Sequence, residues 1–455
     1  MTPGTVAIAL RHHVPGTVGA AVEDLGGRHA VVVRSTSATR RGALGLDDGD
    51  TIRDAAEAAL GLRLPLVLVL ATSGADVSGG IASLHGWGGA ARAVAACSGI
   101  VPVVAVVTGP AISGPALMLG IADLVVMTAD AFAFVSGPAM VADFTGIDIG
   151  IHQLGGTPVH ARSSGLCAIE AASVDDALDH VAHLLSYLPA HTDELAPEEP
   201  CDDPPDRPTP ELRDTIPARA TSSYDVRTVA SVVSDHDSGG TTFTELWPRW
   251  SPQLVVGLGR VGGRPVGFLA SQPQALAGTL DIAASQKGAR FVRFCDAFNL
   301  PLVTLVDTPG FLPGKDLEWR GMIRHGAELA FAYAEATVPR VCLILRKAFG
   351  GAYIVMDSRG LGNDLCFAWP GAEIAVMGAE GAVQILHRRA APEDHAALRE
   401  DYAERFLTPW QAAERGFVDA VIDPADTRAV VAGALDVLSS RREQLPGRKH
   451  TVGPL

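Results

Sequence analysis

Residues 345–379 read LRKAFGGAYIVMDSRGLGNDLCFAWPGAEIAVMGA, a stretch with much backbone and few reactive side chains. A strand-like run ends in the small residues Gly350 and Gly351, a helix-like run follows, and an apolar run with almost no charge completes the stretch. A buried strand that turns into a helix leaves main-chain N–H groups without intrahelical acceptors. Small residues let a ligand approach these groups, because no side chain blocks the way. The stretch therefore predicts a site formed by main-chain amides.

The same order of segments occurs in both halves of the chain. Each half has a hairpin-like opening, an amphipathic stretch, a buried strand ending in a Gly-bearing loop, a helix, and a second buried strand. The buried strands with their loops are LVLVLATSGAD (66–76), VPVVAVVTGPA (101–111), LVTLVDTPGFLPG (302–314) and VPRVCLILRKAFGGA (338–352). Repeated ββα units of this length predict an α/β fold that is used twice.

The strand-to-helix loops are the candidate sites for chemistry, and they lie at 73–76, 109–114, 308–311 and 349–352. Two main-chain donors aimed into a cleft can hold an oxygen that gains negative charge. Removing one such donor from an enzyme typically costs about 2.7–4 kcal/mol of barrier. The plainer interpretation is that these glycines only form turns. The matching placement in both halves favours the main-chain site.

Residues 193–222, DELAPEEPCDDPPDRPTPELRDTIPARATS, differ in composition from the rest of the chain. They are rich in proline and acidic residues and poor in apolar ones, which is typical of a linker or a connection that lies on the surface. The segment divides the chain into a predicted N-terminal domain, 1–192, and a predicted C-terminal domain, 223–455.

Composition excludes several classes of protein. The formal net charge of −15 argues against nucleic acid as the main partner, because phosphate binding needs a basic surface. The six cysteines include no CxxC pair, so we expect no zinc ribbon and no metal site. Apolar runs such as 64–71 are too short to cross a bilayer, and the run MTPGTVAIALRHH lacks the apolar core of a signal peptide. We therefore expect a reduced, cytoplasmic protein without a membrane partner.

The C-terminal half resembles the carboxyltransferase (β) subunit of biotin-dependent acyl-CoA carboxylases, of the propionyl-CoA carboxylase type. The runs that carry the resemblance are ASQKGARFVRFCDAFNLPLVTLVDTPGFLPG, RGMIRHGAELAFAYAEATVP, RKAFGGAYIVM, FAWPGAEIAVMGAEGAV and PWQAAERGFVDAVIDPADTR. The N-terminal half resembles the same family through ASLHGWGGAARAVAACSGIVPVV, FVSGPAMV, LGGTPVHARSSG and LLSYLP. The resemblance implies two tandem crotonase-like ββα-spiral carboxyltransferase domains.

The resemblance also implies a reaction. A carboxylated biotin on a separate carrier protein releases its carboxyl group, the biotin ring nitrogen takes the α-proton of an acyl thioester, and the enolate takes up the carbon dioxide. One oxyanion hole serves the biotin ureido oxygen and another the thioester oxygen. The cofactor supplies the base, while the protein supplies position and dipoles.

For the biotin side, the family's Gly-Ala pair corresponds to Gly351 and Ala352. Their neighbours Gly350, Tyr353 and Ile354 are implied to contact the cofactor, and the last position is implied to influence the size of the acyl group.

For the thioester side, the family's Gly-Gly pair corresponds here to Ser113 and Gly114. The loop TSGAD is closer to that of ordinary crotonases, which implies Ala75 with Gly114 as the alternative pair. Arg40 and Arg41 lie where contacts with CoA phosphates are expected, although two loop arginines are more often solvated surface.

The protein partners are inferred from two motifs that the sequence does not contain. It contains no Met-Lys-Met biotinylation site and no ATP-binding Gly-rich loop, so a biotin carboxyl carrier and a biotin carboxylase must be separate. The substrate would be an acyl-CoA or an acyl-carrier thioester. The family's assembly implies a homo-oligomer, a hexamer built as a trimer of dimers, with the site between the N-terminal domain of one chain and the C-terminal domain of its mate.

Two alternatives stay open. One is a biotin-independent decarboxylase or transcarboxylase acting on a malonyl-type thioester. The other is a non-catalytic assembly partner of an active paralogue, which the altered N-terminal loops favour.

Overall fold

The computed structural model describes the backbone of residues 6–7 and residues 16–217, 219, 222–447 and 449–454. Most of the N-terminal run considered as a signal peptide lies outside these residues. Two compact units make up the chain: the first comprises Met1–Pro197 with Ala297–Asn299, and the second comprises Glu198–Asp296 with Leu300–Leu455. No helix in the described residues is both long enough and apolar enough to span a membrane.

The first unit is built on one sheet, and helices cover the buried faces of its strands. Its strands are β1 (Val6–Ala7), β2 (Val18–Leu25), β3 (Arg28–Ser35), β4 (Leu66–Thr72), β5 (Val103–Ile112), β6 (Leu124–Thr128), β7 (Phe132–Phe134) and β8 (Ile169–Ala171). Its helices are α1 (Leu46–Leu62), α2 (Ile81–Cys97), α3 (Met118–Ile121), α4 (Pro138–Thr145), α5 (Ile151–Gly155), α6 (Thr157–Val159) and α7 (Val174–Tyr187). The sheet order is β1-β2-β3-β4-β5-β6-β8, and β7 pairs with the end of β5.

The second unit repeats this plan. Its strands are β9 (His236–Asp237), β10 (Gly240–Thr241), β11 (Thr244–Leu246), β12 (Leu254–Val261), β13 (Arg264–Ser271), β14 (Leu302–Thr308), β15 (Arg340–Phe349), β16 (Leu365–Ala368), β17 (Glu373–Ala375) and β18 (Ala420–Val421). Its helices are α8 (Val226–Val233), α9 (Ile282–Ala297), α10 (Lys315–Trp319), α11 (Met322–Glu335), α12 (Gly350–Val355), α13 (Ala379–Leu386), α14 (His395–Tyr402), α15 (Pro409–Glu414) and α16 (Thr427–Val437). The sheet order is β11-β12-β13-β14-β15-β16-β18, and β17 pairs with the end of β15.

The two sheets match in detail. In each, an antiparallel hairpin leads into parallel strands, and the central pair, β4 with β5 and β14 with β15, has a register shift just before its carboxyl end. β4 and β14 are fully buried and their sequences are almost wholly apolar, as expected for parallel strands that helices cover. The predicted tandem α/β fold is confirmed, and the shifted strand ends place the candidate loops at corresponding positions.

The segment predicted as a linker, 193–222, does not form a separate connection. Residues 193–197 belong to the first unit and 198–222 to the second, where Thr209 and Leu212 are buried. The fully buried Arg428 donates hydrogen bonds to the main-chain oxygens of Asp203 (3.2 Å) and Pro204 (3.1 Å). The acidic, proline-rich composition therefore serves ion pairing and hydrogen bonding within the second unit.

Candidate active site

The first corner of the first unit follows β4. The Leu44 amide donates to the Gly74 oxygen (2.8 Å), and the Asp76 amide donates to the Leu44 oxygen (2.8 Å). These two hydrogen bonds form a single parallel bridge between Leu44 and Ala75, and their donors are the amides of Leu44 and Asp76. Within the described residues, the N–H of Ala75 is left without a protein acceptor.

The second corner of the first unit follows β5. Ser113 has φ +63° and ψ −148°, and its amide donates to the Phe134 oxygen of β7 at 2.9 Å. The next residue, Gly114, begins a 3₁₀ turn, so its N–H has no acceptor within the turn. Pro115 then carries no N–H at all. The amide of Ser113 is thus already engaged, which corrects the expectation that Ser113 and Gly114 would donate as a pair.

These two corners lie side by side. A Cβ built on Gly74 would lie 3.3 Å from the Ile112 oxygen and 3.4 Å from the Ser113 Cβ. The amides of Ala75 and Gly114 therefore belong to adjacent loops, as the crotonase-like alternative required. The geometry favours this pair over Ser113 with Gly114.

The second unit has the same two corners. The Leu280 amide donates to the Gly310 oxygen (3.1 Å), and the Leu312 amide donates to the Leu280 oxygen (2.8 Å). In this bridge the amide of Phe311 therefore has no acceptor, like the amide of Ala75 in the first unit. At the end of β15, Gly350 has φ +59° and corresponds to Ser113.

Gly351 is therefore the counterpart of Gly114. Gly351 and Ala352 lie in the first turn of α12, where N–H groups lack intrahelical acceptors. A Cβ on Gly351 would lie 3.6 Å from the Phe311 ring, which is ordinary contact. Sequence reasoning did not select Phe311 as a site residue, although its loop matches the loop of Ala75 in the other half.

A cavity of about 500 Å³ lies beside the second-unit corner. Gly350, Gly351, Tyr353 and Ile354 line one side, and the facing side is lined mainly by apolar residues: Ile374, Val376, Tyr402, Phe406 and Phe417. Ile354 is 43% exposed, whereas Ala352 is fully buried. Burial also raises the pKa of Tyr353, so its hydroxyl stays protonated at neutral pH. The cavity offers main-chain donors on an apolar wall, which suits a small ring with polar edges.

The two arginines expected at CoA phosphates have different surroundings. Arg40 pairs with Asp48 (2.8 Å) and with Asp76 (3.0 Å), so carboxylates of its own unit already hold its guanidinium. Hydrogen bonds from Ser78, with a smaller contribution from Arg40, lower the pKa of Asp76. Arg41 is exposed and, within the described residues, has no carboxylate at salt-bridge distance. Of the two, only Arg41 is available to a phosphate.

Two titratable side chains near the corners are already hydrogen-bonded within the protein. Asp307, at the end of β14, pairs with Arg346 (3.0 Å) and accepts the Lys347 amide (3.1 Å). Burial raises the pKa of Asp307, and Arg346 opposes this rise. His160 bonds Ser164 (2.7 Å) and the Ala133 oxygen (2.8 Å) through its two ring nitrogens. In the part of the chain that the structure describes, no group of three or more His, Cys, Asp or Glu side chains could hold a metal ion.

Comparisons with known proteins show which family this chain belongs to. A family model described as the carboxyl transferase domain matches residues 10–452. The propionyl-CoA carboxylase carboxyltransferase subunit of Haloferax mediterranei is 41% identical over 95% of this chain and 84% of its own length. The human mitochondrial propionyl-CoA carboxylase beta chain is 42% identical over 87% of this chain and 73% of its own.

A transcarboxylase-type protein is equally similar. The methylmalonyl-CoA carboxyltransferase 12S subunit of Propionibacterium freudenreichii subsp. shermanii is 42% identical over 90% of this chain and 78% of its own. The crystal structure of a transcarboxylase 12S hexamer with methylmalonyl-coenzyme A and methylmalonic acid bound superposes with a TM-score of 0.93 at 39% identity, covering 96% of this chain and 85% of that one.

Proposed function

This chain belongs to the carboxyl transferase domain family, and we propose that it moves a carboxyl group from carboxybiotin, held on a partner protein, to the α-carbon of an acyl-CoA thioester. The observation that carries the proposal is the duplicated corner. Each unit has two adjacent strand-to-helix loops with main-chain donors that lack protein acceptors, and the reaction has two oxygens that gain negative charge.

The corner of the first unit is assigned to the thioester. The N–H groups of Ala75 and Gly114 would hold the thioester oxygen, which favours loss of the α-proton because negative charge develops there. Arg41 is the available cation for a CoA phosphate. Arg40 instead fixes the loop through Asp48 and Asp76.

The corner of the second unit is assigned to biotin. The N–H groups of Gly351 and Ala352, with that of Phe311 next to them, would hold the ureido oxygen, and the cavity of about 500 Å³ would enclose the ring. When bound, biotin supplies the carboxyl group and then the nitrogen that accepts the α-proton. The chain's own contribution is to orient both partners and exclude water.

The substrate we propose is a short acyl-CoA such as propionyl-CoA. Support comes from the relatives, which are propionyl-CoA carboxylases and a methylmalonyl-CoA carboxyltransferase. Ile354 lies on the cavity wall, and its apolar side chain limits the size of the group that fits beside the corner.

Assembly into a hexamer would complete the site by bringing the first unit of one protomer to the second unit of its mate. The transcarboxylase 12S relative assembles as a hexamer. In support, each unit exposes apolar side chains on the helix after its short extra strand: Met140 (64%) and Phe144 (93%) on α4, and Ile385 (63%) on α13.

A second candidate is a biotin-independent decarboxylase or transcarboxylase of a malonyl-type thioester, and the similarity to the methylmalonyl-CoA carboxyltransferase 12S subunit supports a substrate of that type. Following carboxyl flow with and without a biotinylated carrier separates the candidates. Turnover that ignores biotin would favour a biotin-independent decarboxylase or transcarboxylase. Full activity of the purified chain as a homo-oligomer would exclude a purely structural partner.

The substitution Gly351→Val tests the function. Its side chain would cover the donors of α12, so we expect biotin-dependent carboxylation of propionyl-CoA to fall by about 10²–10³-fold while the fold persists. The matched control is Gly371→Val, because a Cβ at Gly371 would meet nothing within 4 Å. If Gly351→Val keeps the rate of the control, the assignment of this corner is wrong.

A further inference from the structure

An indole ring closes the thioester corner of the first unit. α2 places Trp87 against Gly114, so that a Cβ on Gly114 would lie 2.8 Å from both Cε2 and Cζ2 of the ring and 3.2 Å from its Nε1. Contacts that short do not occur between real side chains, so Gly114 must stay a glycine. The nitrogen-bearing edge of the indole therefore faces the corner.

The indole nitrogen has no partner. Within the described residues, Nε1 of Trp87 is buried and makes no hydrogen bond. Buried donors in native proteins are almost always hydrogen-bonded. An unpaired buried donor therefore needs an explanation, and one explanation is a ligand that accepts its hydrogen bond. Trp87 as a whole is only partly buried.

A second polar group on the same helix face is also unpaired. Ser83 lies one turn before Trp87 and is fully buried, and its hydroxyl has no partner within the described residues. Its Oγ would lie only 2.2 Å from a Cβ on Gly79, in the loop that follows Ala75. Both unpaired groups of α2 therefore border the loops of this corner.

Among the described residues of the second unit, no indole lies within 4 Å of a Cβ built on Gly351, the counterpart of Gly114. The ring beside Gly351 is that of Phe311, which has no polar atom in its side chain. The two corners share their main-chain geometry and differ in the ring that closes them. A third donor is thus specific to the corner assigned to the thioester.

We propose that Trp87 contacts the substrate and donates its Nε1 hydrogen to an oxygen of the bound acyl thioester, beside the amides of Ala75 and Gly114. This inference rests on the proposed function. It makes the first-unit corner a three-donor site for an acyl oxygen.

The substitution Trp87→Phe separates the hydrogen bond from the ring, because phenylalanine keeps an aromatic side chain without the N–H. We expect the variant to bind propionyl-CoA roughly three- to tenfold more weakly by titration calorimetry, the usual effect of losing one hydrogen bond. Binding of free CoA, which has no acyl oxygen, should be unchanged.

The matched control is Trp247→Phe. Trp247 lies in the second unit, and its Nε1 is likewise buried and unpaired in the described chain. We expect this variant to bind both propionyl-CoA and CoA as the unsubstituted protein does.

Trp87→Phe binding propionyl-CoA as tightly as the unsubstituted protein would overturn the inference. If the unsubstituted protein itself binds no acyl-CoA, the proposed function fails and the inference fails with it. Normal wild-type binding with an unaffected Trp87→Phe overturns the inference alone.

Discussion

Ser113 and Gly350, at corresponding places in the two units, both have positive φ. Ser113 has φ +63° and ψ −148°, a region that glycine occupies almost exclusively, and Gly350 has φ +59° at the corresponding place. A non-glycine residue held there costs roughly 1–3 kcal/mol. The cost is sustained because the Ser113 amide is fixed to the Phe134 oxygen at 2.9 Å. The first-unit corner is therefore the more strained of the two.

Ser113→Gly should relieve this strain. We expect the free energy of unfolding to rise by about 1 kcal/mol, the relief of strain outweighing the greater freedom of glycine in the unfolded chain. Urea unfolding measures it. Ser73→Gly is the control, because Ser73 lies in the neighbouring loop and is not among the residues with positive φ. A loss of stability in Ser113→Gly as large as that in the control would contradict the argument.

Residues of the site were predictable where the signal is local. Gly351, Ala352 and Gly114 follow apolar strands and stand out in the sequence. The occupied amide of Ser113 could not be foreseen, because it depends on how β7 pairs with β5. The contact between Trp87 and Gly114 likewise depends on the packing of α2.

At the scale of elements, α9 holds a loop of its own unit through a buried lysine. Lys287 donates to the main-chain oxygens of Trp247 and Trp250, each at 2.9 Å, and is 1% exposed. Trp247 has φ +51°, so these bonds hold a loop in a strained conformation. Burial lowers the pKa of Lys287 from its ordinary value of 10.5 to about 7.

This pKa predicts a pH dependence of stability. Between about 7 and 10.5 the unfolded chain binds more protons at Lys287 than the folded chain does, so stability rises with pH across this window. In Lys287→Met this contribution should vanish, and the variant should be less stable at pH 9 because two carbonyls lose their donor.

Urea unfolding at pH 7, 8 and 9 measures the effect. Lys315→Met is the control, because Lys315 is exposed and packs on the Trp319 ring. The control should keep the slope of the unsubstituted protein. An unchanged slope in Lys287→Met would show that this lysine titrates normally in the fold.

The segment 193–222 shows where composition fails at this scale. Proline and acidic residues are typical of linkers, but here Arg428 binds the segment through Asp203 and Pro204. These partners lie more than two hundred positions apart in the sequence, so no local sequence pattern predicts the pairing. By contrast, the strands and helices around the corners follow from local apolar periodicity and were predicted.

At the scale of the whole molecule, duplication explains most of what was predictable. One pattern of strand, loop and helix occurs twice, so each half supports the interpretation of the other. Divergence between the halves explains the rest, as where Ser113 stands at the position of Gly350. We interpret this divergence as specialisation of one corner for the thioester and the other for biotin.

The most direct test of this account is a crystal structure of the protein with propionyl-CoA bound. We expect the thioester oxygen to lie about 2.7–3.2 Å from the amide nitrogens of Ala75 and Gly114. A thioester oxygen out of hydrogen-bond reach of both amides, with the corner filled by protein side chains, would contradict the central claim that main-chain donors at these loops stabilise the reacting oxygens.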